Sequence, residues 1–181
     1  MAEPRLVDTV TLRHFGVVDR MDILEARLVG YDHPSWTDAV RSELLRHEAE
    51  DGCQRVLESS FLGSPKDDFS AVELAEVFRI RRALSLDDSD SQLHLGEAEC
   101  IWSADRLNGT FITDDAEAFA FAERKFGDNR VLDSIDLLRE SVAAAEITAY
   151  EAKQVADAIR NSGRHLRTGH PPTITLDYFV W

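Results

Sequence analysis

Cysteine is scarce in this chain, with only Cys53 and Cys100 among 181 residues. They form no CxxC pair and stand at no metal-type spacing with histidine, so neither a disulfide framework nor a structural zinc site is expected. Long apolar runs are missing as well. No stretch reaches the roughly 18 residues that span a bilayer, and the opening MAEPRLVDTV lacks the charged-then-apolar layout of a secretory signal. A cytoplasmic protein with no membrane segment is the expectation. Nucleotide-binding glycine loops are absent, since neither GxGxxG nor a Walker A sequence occurs. No GxSxG occurs and neither cysteine has a histidine close by in sequence, which leaves nucleophilic serine or cysteine catalysis without support. Positive charge is also short. Against 34 Asp and Glu stand 20 Lys and Arg, a net charge of −14, which argues against a uniformly basic nucleic-acid-binding surface. That balance remains compatible with a nuclease, whose clustered carboxylates hold metal while a few arginines hold phosphate.

What is present suits one domain with a substantial core, at 44% hydrophobic residues. Short apolar runs alternate with helical patterns, and this favours an α/β fold of three α/β/α layers around a central parallel sheet. The domain is placed at residues 1–170, with 171–181 as an extended C-terminal tail. Arg5 to Val7 reads as a first strand ending at Asp8, and VVDRMDILEARL reads as a helix through Met21, Leu24 and Leu28. A further helix is expected from near Pro34 through SWTDAVRSELLRHEA, its apolar side formed by Trp36, Ala39, Val40, Leu44 and His47. Ser70 and Glu73 form a capping box ahead of AVELAEVFRIRRALS. On that helix Val72, Ala75 and Phe78 are expected to face inward, leaving Arg79, Arg81 and Arg82 as a positive patch. The helix dipole alone accounts for basic residues in a last turn, but the patch is also a candidate for binding substrate phosphate. The loop LDDSDSQ follows. A helix and the short strand TFIT lie in 95–115, Ala116 to Phe126 is helical, Val131 to Asp133 is a last strand, and two helices run through 134–145 and 148–162. The tail PPTITLDYFVW is read as extended, packed either on its own domain or in a homodimer or partner contact.

Six acids stand out by position, and five of them, all but Glu99, are candidates for one site. Asp8 sits at a strand exit, the edge where ligand sites form in open α/β sheets. Glu43 lies three after Val40 and four after Ala39, on the apolar side of its helix, where a charge needs a partner or a metal. Glu97 and Glu99 stand about 200° apart around one helix and cannot face one site. Glu97 shares its side with Cys100, Ile101 and Ala104 and is assigned to an interior cleft, whereas Glu99 is assigned to the surface or a supporting role. Asp114 and Asp115 follow TFIT at a second strand exit. Together these residues offer oxygen and neither nitrogen nor sulfur, a set that suits Mg²⁺ or Mn²⁺. Such an ion neutralises phosphate charge and generates hydroxide from water, so phosphodiester hydrolysis is the chemistry expected.

The order and context of these residues resemble the PIN-domain nucleases, notably VapC-like toxins of toxin–antitoxin modules. The matching pieces are VDTVTLRHF around Asp8, AVRSELL around Glu43, LGEAECIWSA around Glu97, and FITDD with AEAFAFA after it. The segment VLDSIDLLRESVAAAEITAYEAKQVADAIRNSGRHL is similar to the C-terminal part of a subgroup with a GE motif and a double aspartate. The resemblance covers most of the chain outside roughly residues 50–92 and the final tail. It implies a PIN-like fold, an Mg²⁺- or Mn²⁺-dependent endoribonuclease, an RNA substrate and a cognate antitoxin. It also implies Asp8, Glu43, Glu97 and Asp115 as the four acids, the T-x-D pattern favouring Asp115 over Asp114, and Thr9 as the small hydroxyl residue after the first acid. Asp114 stays with Asp8, Glu97 and Asp115 in the candidate metal set. The third acid is Glu where the family more often has Asp.

Other readings fare less well. A phosphatase of the haloacid dehalogenase type needs a second aspartate two residues after the first, and this chain has Val10 there. A response-regulator receiver carries its paired acids at the first strand, whereas the pair here comes late. Two alternatives remain: a non-catalytic PIN-like interaction protein, and a nuclease of DNA or structured RNA outside any toxin module. His165 and His170, beside Arg160, Arg164 and Arg167, form a basic C-terminal segment that is either solvated or in contact with phosphate.

Overall fold

The computed structural model describes residues 3–30, 33–84, 93–167 and 169–180, excepting the Asp128 side chain. The chain is a mixed α/β protein built around a three-stranded parallel sheet in the order β1 (Arg5–Val7), β2 (Thr110–Ile112), β3 (Val131–Leu132). Arg5 pairs with Thr110, Leu6 with Phe111 and Val7 with Ile112; Phe111 and Ile112 then pair with Val131 and Leu132. Leu6, Val7, Phe111 and Ile112 are all fully buried. A strand covered on both faces keeps apolar side chains at consecutive positions, and this explains why these short runs do not alternate. Helices on the sheet are compatible with α/β/α layering: α6 (Leu95–Arg106) packs on β1 and β2, while α7 (Ala116–Phe126) and α8 (Ser134–Ala143) pack on β3. No helix among the described residues is long and apolar enough to cross a membrane.

Each strand ends in an aspartate that caps the next helix. Asp8 accepts from Thr11 N at the start of α1 (Thr9–Val17), Asp115 from Ala118 N at the start of α7, and Asp133 from Ile135 N and Asp136 N at the start of α8. A capping carboxylate satisfies amides that the helix leaves open and meets the positive end of its dipole. The strand-to-helix signal is local, and for that reason the sequence positions agree closely with the structure here. The helix at the Met21 pattern also appears, as α2 (Met21–Leu28), separated from α1 by a break at Val18–Arg20 where Asp19 takes φ +57°.

Several expectations are corrected. The third helix starts later than Pro34, as α3 (Asp38–Arg46) with Thr37 as its N-cap; Trp36 is buried ahead of it and donates to Gly63 O, and His47 is exposed. After α4 (Cys53–Leu57), the helix α5 (Ala71–Leu84) has the capping box of Ser70 and Glu73. Its buried face, however, is Val77, Ile80, Arg81 and Leu84, with Val72 76% and Phe78 46% exposed. The loop LDDSDSQ lies outside the described residues. The tail is not extended: after α9 (Ala149–Asn161) it turns back, buries Ile174 and Phe179, and forms a single 3-10 turn at Leu176–Phe179 against α8 and α9. Anchoring is polar as well, since Arg139 Nε donates to Tyr178 O and its guanidinium lies 4.1 Å from the Tyr178 ring centre.

Candidate active site

Asp8 is the innermost acid at the strand ends. It is fully buried, its Oδ1 accepts from Thr11 N at 2.8 Å and its Oδ2 from the Thr113 hydroxyl. Thr113 Oγ1 in turn accepts from Asp115 N at 3.0 Å. One hydroxyl thus ties the exit of β1 to the backbone at the exit of β2, bonding both the Asp8 carboxylate and the Asp115 amide. Burial pushes the Asp8 carboxyl well above its usual range, and the nearby Glu97 charge pushes it further, against the hydrogen bonds from Thr113 and Thr11.

Glu43 reaches the same edge from α3. Thr9 Oγ1 donates to Glu43 Oε2 at 2.7 Å, so the residue after Asp8 holds the second acid. The approach of α3 to α6 depends on Gly96, where a Cβ would lie 3.1 Å from Val40 Cγ2 and 3.6 Å from Glu43 Oε2. Burial raises the Glu43 pKa; Thr9 lowers it, and the Glu97 charge raises it again. Glu97 therefore acts electrostatically on both Asp8 and Glu43, placing three acids in one field. Glu97 itself is 9% exposed, and His94 Nδ1 lies 3.7 Å from its Oε1. His94 takes φ +58° at the head of α6. Its pKa is raised by Glu97, whose effect outweighs that of burial, with smaller contributions from Asp115 and Glu117. No lysine or arginine ion pair with Asp8, Glu43, Glu97 or Asp115 is found among the described residues.

Asp114 has a different surrounding. It is 4% exposed, and its Oδ2 is shared by Thr11 Oγ1 at 3.3 Å, His14 Nδ1 at 3.0 Å and the Ser134 hydroxyl, with Ser134 N at 3.4 Å from Oδ1. This aspartate knits α1, β2 and α8 together, while its half-buried neighbour Asp115 caps α7 through Oδ1 at 2.7 Å. Of the two alternatives for Glu99, surface or supporting, the structure has the supporting one. It is 7% exposed and accepts from Ala39 N at 3.2 Å, so it braces the start of α3 from α6. Burial raises its pKa against hydrogen bonds from Thr37 and Ala39. The third strand-exit acid, Asp133, is spent on Arg167 Nε at 2.7 Å and His170 Nε2 at 2.6 Å.

The arginines of α5 do not form one patch at this edge. Arg79 pairs with Glu76 and lines a groove with Asp105 and Lys125, at the far end of α6 and α7 from Glu97 and Asp115. Asp105 lies eight residues beyond Glu97, roughly 12 Å along the helix axis. Arg81 is buried at 7% exposure, and Arg82 is exposed.

The donor chemistry is of the kind a hard divalent cation takes: oxygen ligands, a carboxylate pushed upward by burial and then by a like charge, and no lysine or arginine paired with it among the described residues. Asp8, Glu97 and Asp115 would be the residues to hold such an ion, with Glu43 adjacent through Thr9. Among the described residues, no three acid, His or Cys side chains are gathered tightly enough to form a metal-holding group by themselves. His94, His14 and Ser134 did not enter the sequence reading. Only the position of Ser134, directly after a strand-exit aspartate, carried a signal. Comparison of the chain with protein-family models, with curated proteins and with solved structures gives no match.

Proposed function

We propose that the chain is an Mg²⁺- or Mn²⁺-dependent ribonuclease with a PIN-like α/β/α fold, hydrolysing RNA phosphodiester bonds as the toxin of a toxin–antitoxin module in the cytoplasm. The observation that supports it most is Asp8: fully buried, set against Glu97 in charge, linked by Thr113 to the Asp115 junction, and without a lysine or arginine partner among the described residues. Such an arrangement is costly for folding unless a cation offsets it.

Asp8, Glu97 and Asp115 would hold the ion, which when bound would neutralise charge at the phosphate and make water more acidic. Glu43 handles the proton. Thr9 occupies its Oε2, which leaves Oε1 to accept a proton from water, and its raised pKa brings it nearer the operating pH. Thr113 keeps Asp8 oriented, and Asp114 fixes the three elements on which the site stands. Glu99 stabilises the start of α3 and so the placement of Glu43.

In cells, induced expression of wild type is expected to arrest growth with loss of RNA integrity, Asp8→Asn to do neither, and a co-expressed antitoxin to silence the toxin. Purified protein is expected to cleave single-stranded RNA only with Mg²⁺ or Mn²⁺. Cleavage without growth arrest points to a nuclease outside a toxin module. No cleavage across an RNA and DNA panel, with a melting temperature indifferent to Mn²⁺, leaves the non-catalytic alternative.

A further inference from the structure

Asp114 and Asp115 form one wall of a groove of about 410 Å³ whose opposite wall is the segment from Gly163 to Arg167 that follows α9. The groove is continuous with the candidate active site because Asp115 belongs to both. Its lining is mixed in charge: against Asp114 and Asp115, the segment brings in Arg164, His165 and Arg167, a concentration of basic side chains in a chain of net charge −14.

The three basic residues are not equivalent. Arg167 is spoken for: its Nε donates to the buried Asp133, and its guanidinium lies 3.8 Å from the Phe119 ring centre, so it is a fixed part of the wall. Arg164 is half-buried and, among the described residues, its guanidinium donates to the carbonyl of Asp51 at 3.2 Å, which orients it without neutralising it. Burial lowers its pKa and so does the charge of Arg13 nearby, against Cys53, Glu50 and Asp51. His165 is exposed and has no partner among the described residues. Asp114 is a fixed part of the lining, held by Thr11, His14 and Ser134.

We propose that this groove holds the single-stranded RNA backbone next to the scissile phosphate, with Arg164 and His165 binding the flanking phosphate. The assignment rests on the ribonuclease reading and moves phosphate binding from Arg79 on α5 to the segment after α9. A groove of this size is in the range of small-ligand sites, so it admits a nucleotide unit and not a duplex.

The test is fluorescence anisotropy of a short labelled single-stranded RNA with Asp8→Asn protein, which does not turn the RNA over, across a range of salt. One lost phosphate contact to a single strand lowers the salt slope by about 0.7, equivalent to roughly fourfold in Kd near 0.15 M salt. Arg164→Gln in this background is expected to show that change, Arg164→Lys to restore the slope, His165→Asn to weaken binding further, and Arg79→Gln to leave both unchanged. Circular dichroism melts identify any variant that is unfolded, and His165→Asn, at an exposed position, keeps the test decisive in that case. Binding by the Asp8→Asn parent with an unchanged slope in Arg164→Gln and unchanged affinity in His165→Asn overturns the groove assignment while leaving the ribonuclease reading intact. No RNA binding by the parent, in any salt, overturns both.

Discussion

Replacing Asp8 by asparagine tests whether the site is held against folding stability. The change is nearly isosteric. Asparagine is as good an N-cap as aspartate, so its side-chain oxygen still accepts from Thr11 N, and its amide still faces the Thr113 hydroxyl. What disappears is a fully buried negative charge beside Glu97. The folded-state pKa of Asp8 is raised, so folding favours its protonated form, and wild-type stability falls as pH rises through that folded value. Asparagine fixes the neutral form. At pH 7.5 in EDTA, Asp8→Asn is therefore expected to be more stable than wild type by about 1–3 kcal/mol, the part of the desolvation cost of a buried charge that its two hydrogen bonds leave unoffset. For a domain of this length that is a rise in Tm of roughly 2–4 °C per kcal/mol. Below pH 4 the difference shrinks, because the wild-type carboxyl is then neutral as well. Denaturant melts at the two pH values measure the effect. If Asp8→Asn is equal to or less stable than wild type at pH 7.5, Asp8 is an ordinary structural cap and the electrostatic account of the site is wrong.

Three further outcomes are expected. Ser134→Ala removes one of the donors to Asp114 and is expected to cost about 1–2 kcal/mol in denaturant melts, since His14, Thr11 and Ser134 N remain; no change contradicts the placing of Asp114 as a hub. At Gly16 a Cβ would stand 2.4 Å from the Gly52 carbonyl, where α1 crosses α4, so Gly16→Ala is expected to force the helices apart and lower the Tm by several degrees, whereas equal melting contradicts that close approach. Asp136, pushed up to about 6 by burial and by the neighbouring Asp133 carboxylate, makes the wild type lose stability as pH rises from about 4 to about 6; Asp136→Asn is expected to reduce that loss by about 1–2 kcal/mol, and parallel pH–stability curves contradict it.

Features set by neighbouring residues were readable in the sequence. The strand exits at Asp8 and Asp114–Asp115, the capping box of Ser70 and Glu73, and the helices 116–126 and 148–162 depend on contacts within a few positions, and the structure has them close to where they were expected. Helix α5 shows where that reasoning stops. It carries two apolar stripes, Val72–Ala75–Phe78 and Val77–Ile80–Leu84, and periodicity treats them alike; packing against α6 selects the second. Glu99 stayed open between the surface and a supporting role for a related reason. Its helical stripe with Trp102 and Arg106 reads as mixed, but α3 brings its open Ala39 amide to that carboxylate, a contact 60 residues away in sequence. The difference between Asp114 and Asp115 was half legible: T-x-D marks the local turn in which the Thr113 hydroxyl accepts from Asp115 N, while the burial of Asp114 among His14 and Ser134 is a tertiary fact. The tail's aromatic and apolar pattern resembled a strand, yet burying Ile174 and Phe179 took a turn.

The central claim is that the acids at the strand ends form one divalent-cation site. Electron paramagnetic resonance of Mn²⁺ titrated into wild type, Asp8→Asn and Glu97→Gln measures it directly, because protein-bound Mn²⁺ loses the sharp signal of the free ion. The account predicts saturable binding by wild type and at least about tenfold weaker binding by each variant, the loss of one charged oxygen ligand from a small site. Wild type that binds no Mn²⁺, or variants that bind it as tightly as wild type, would contradict it.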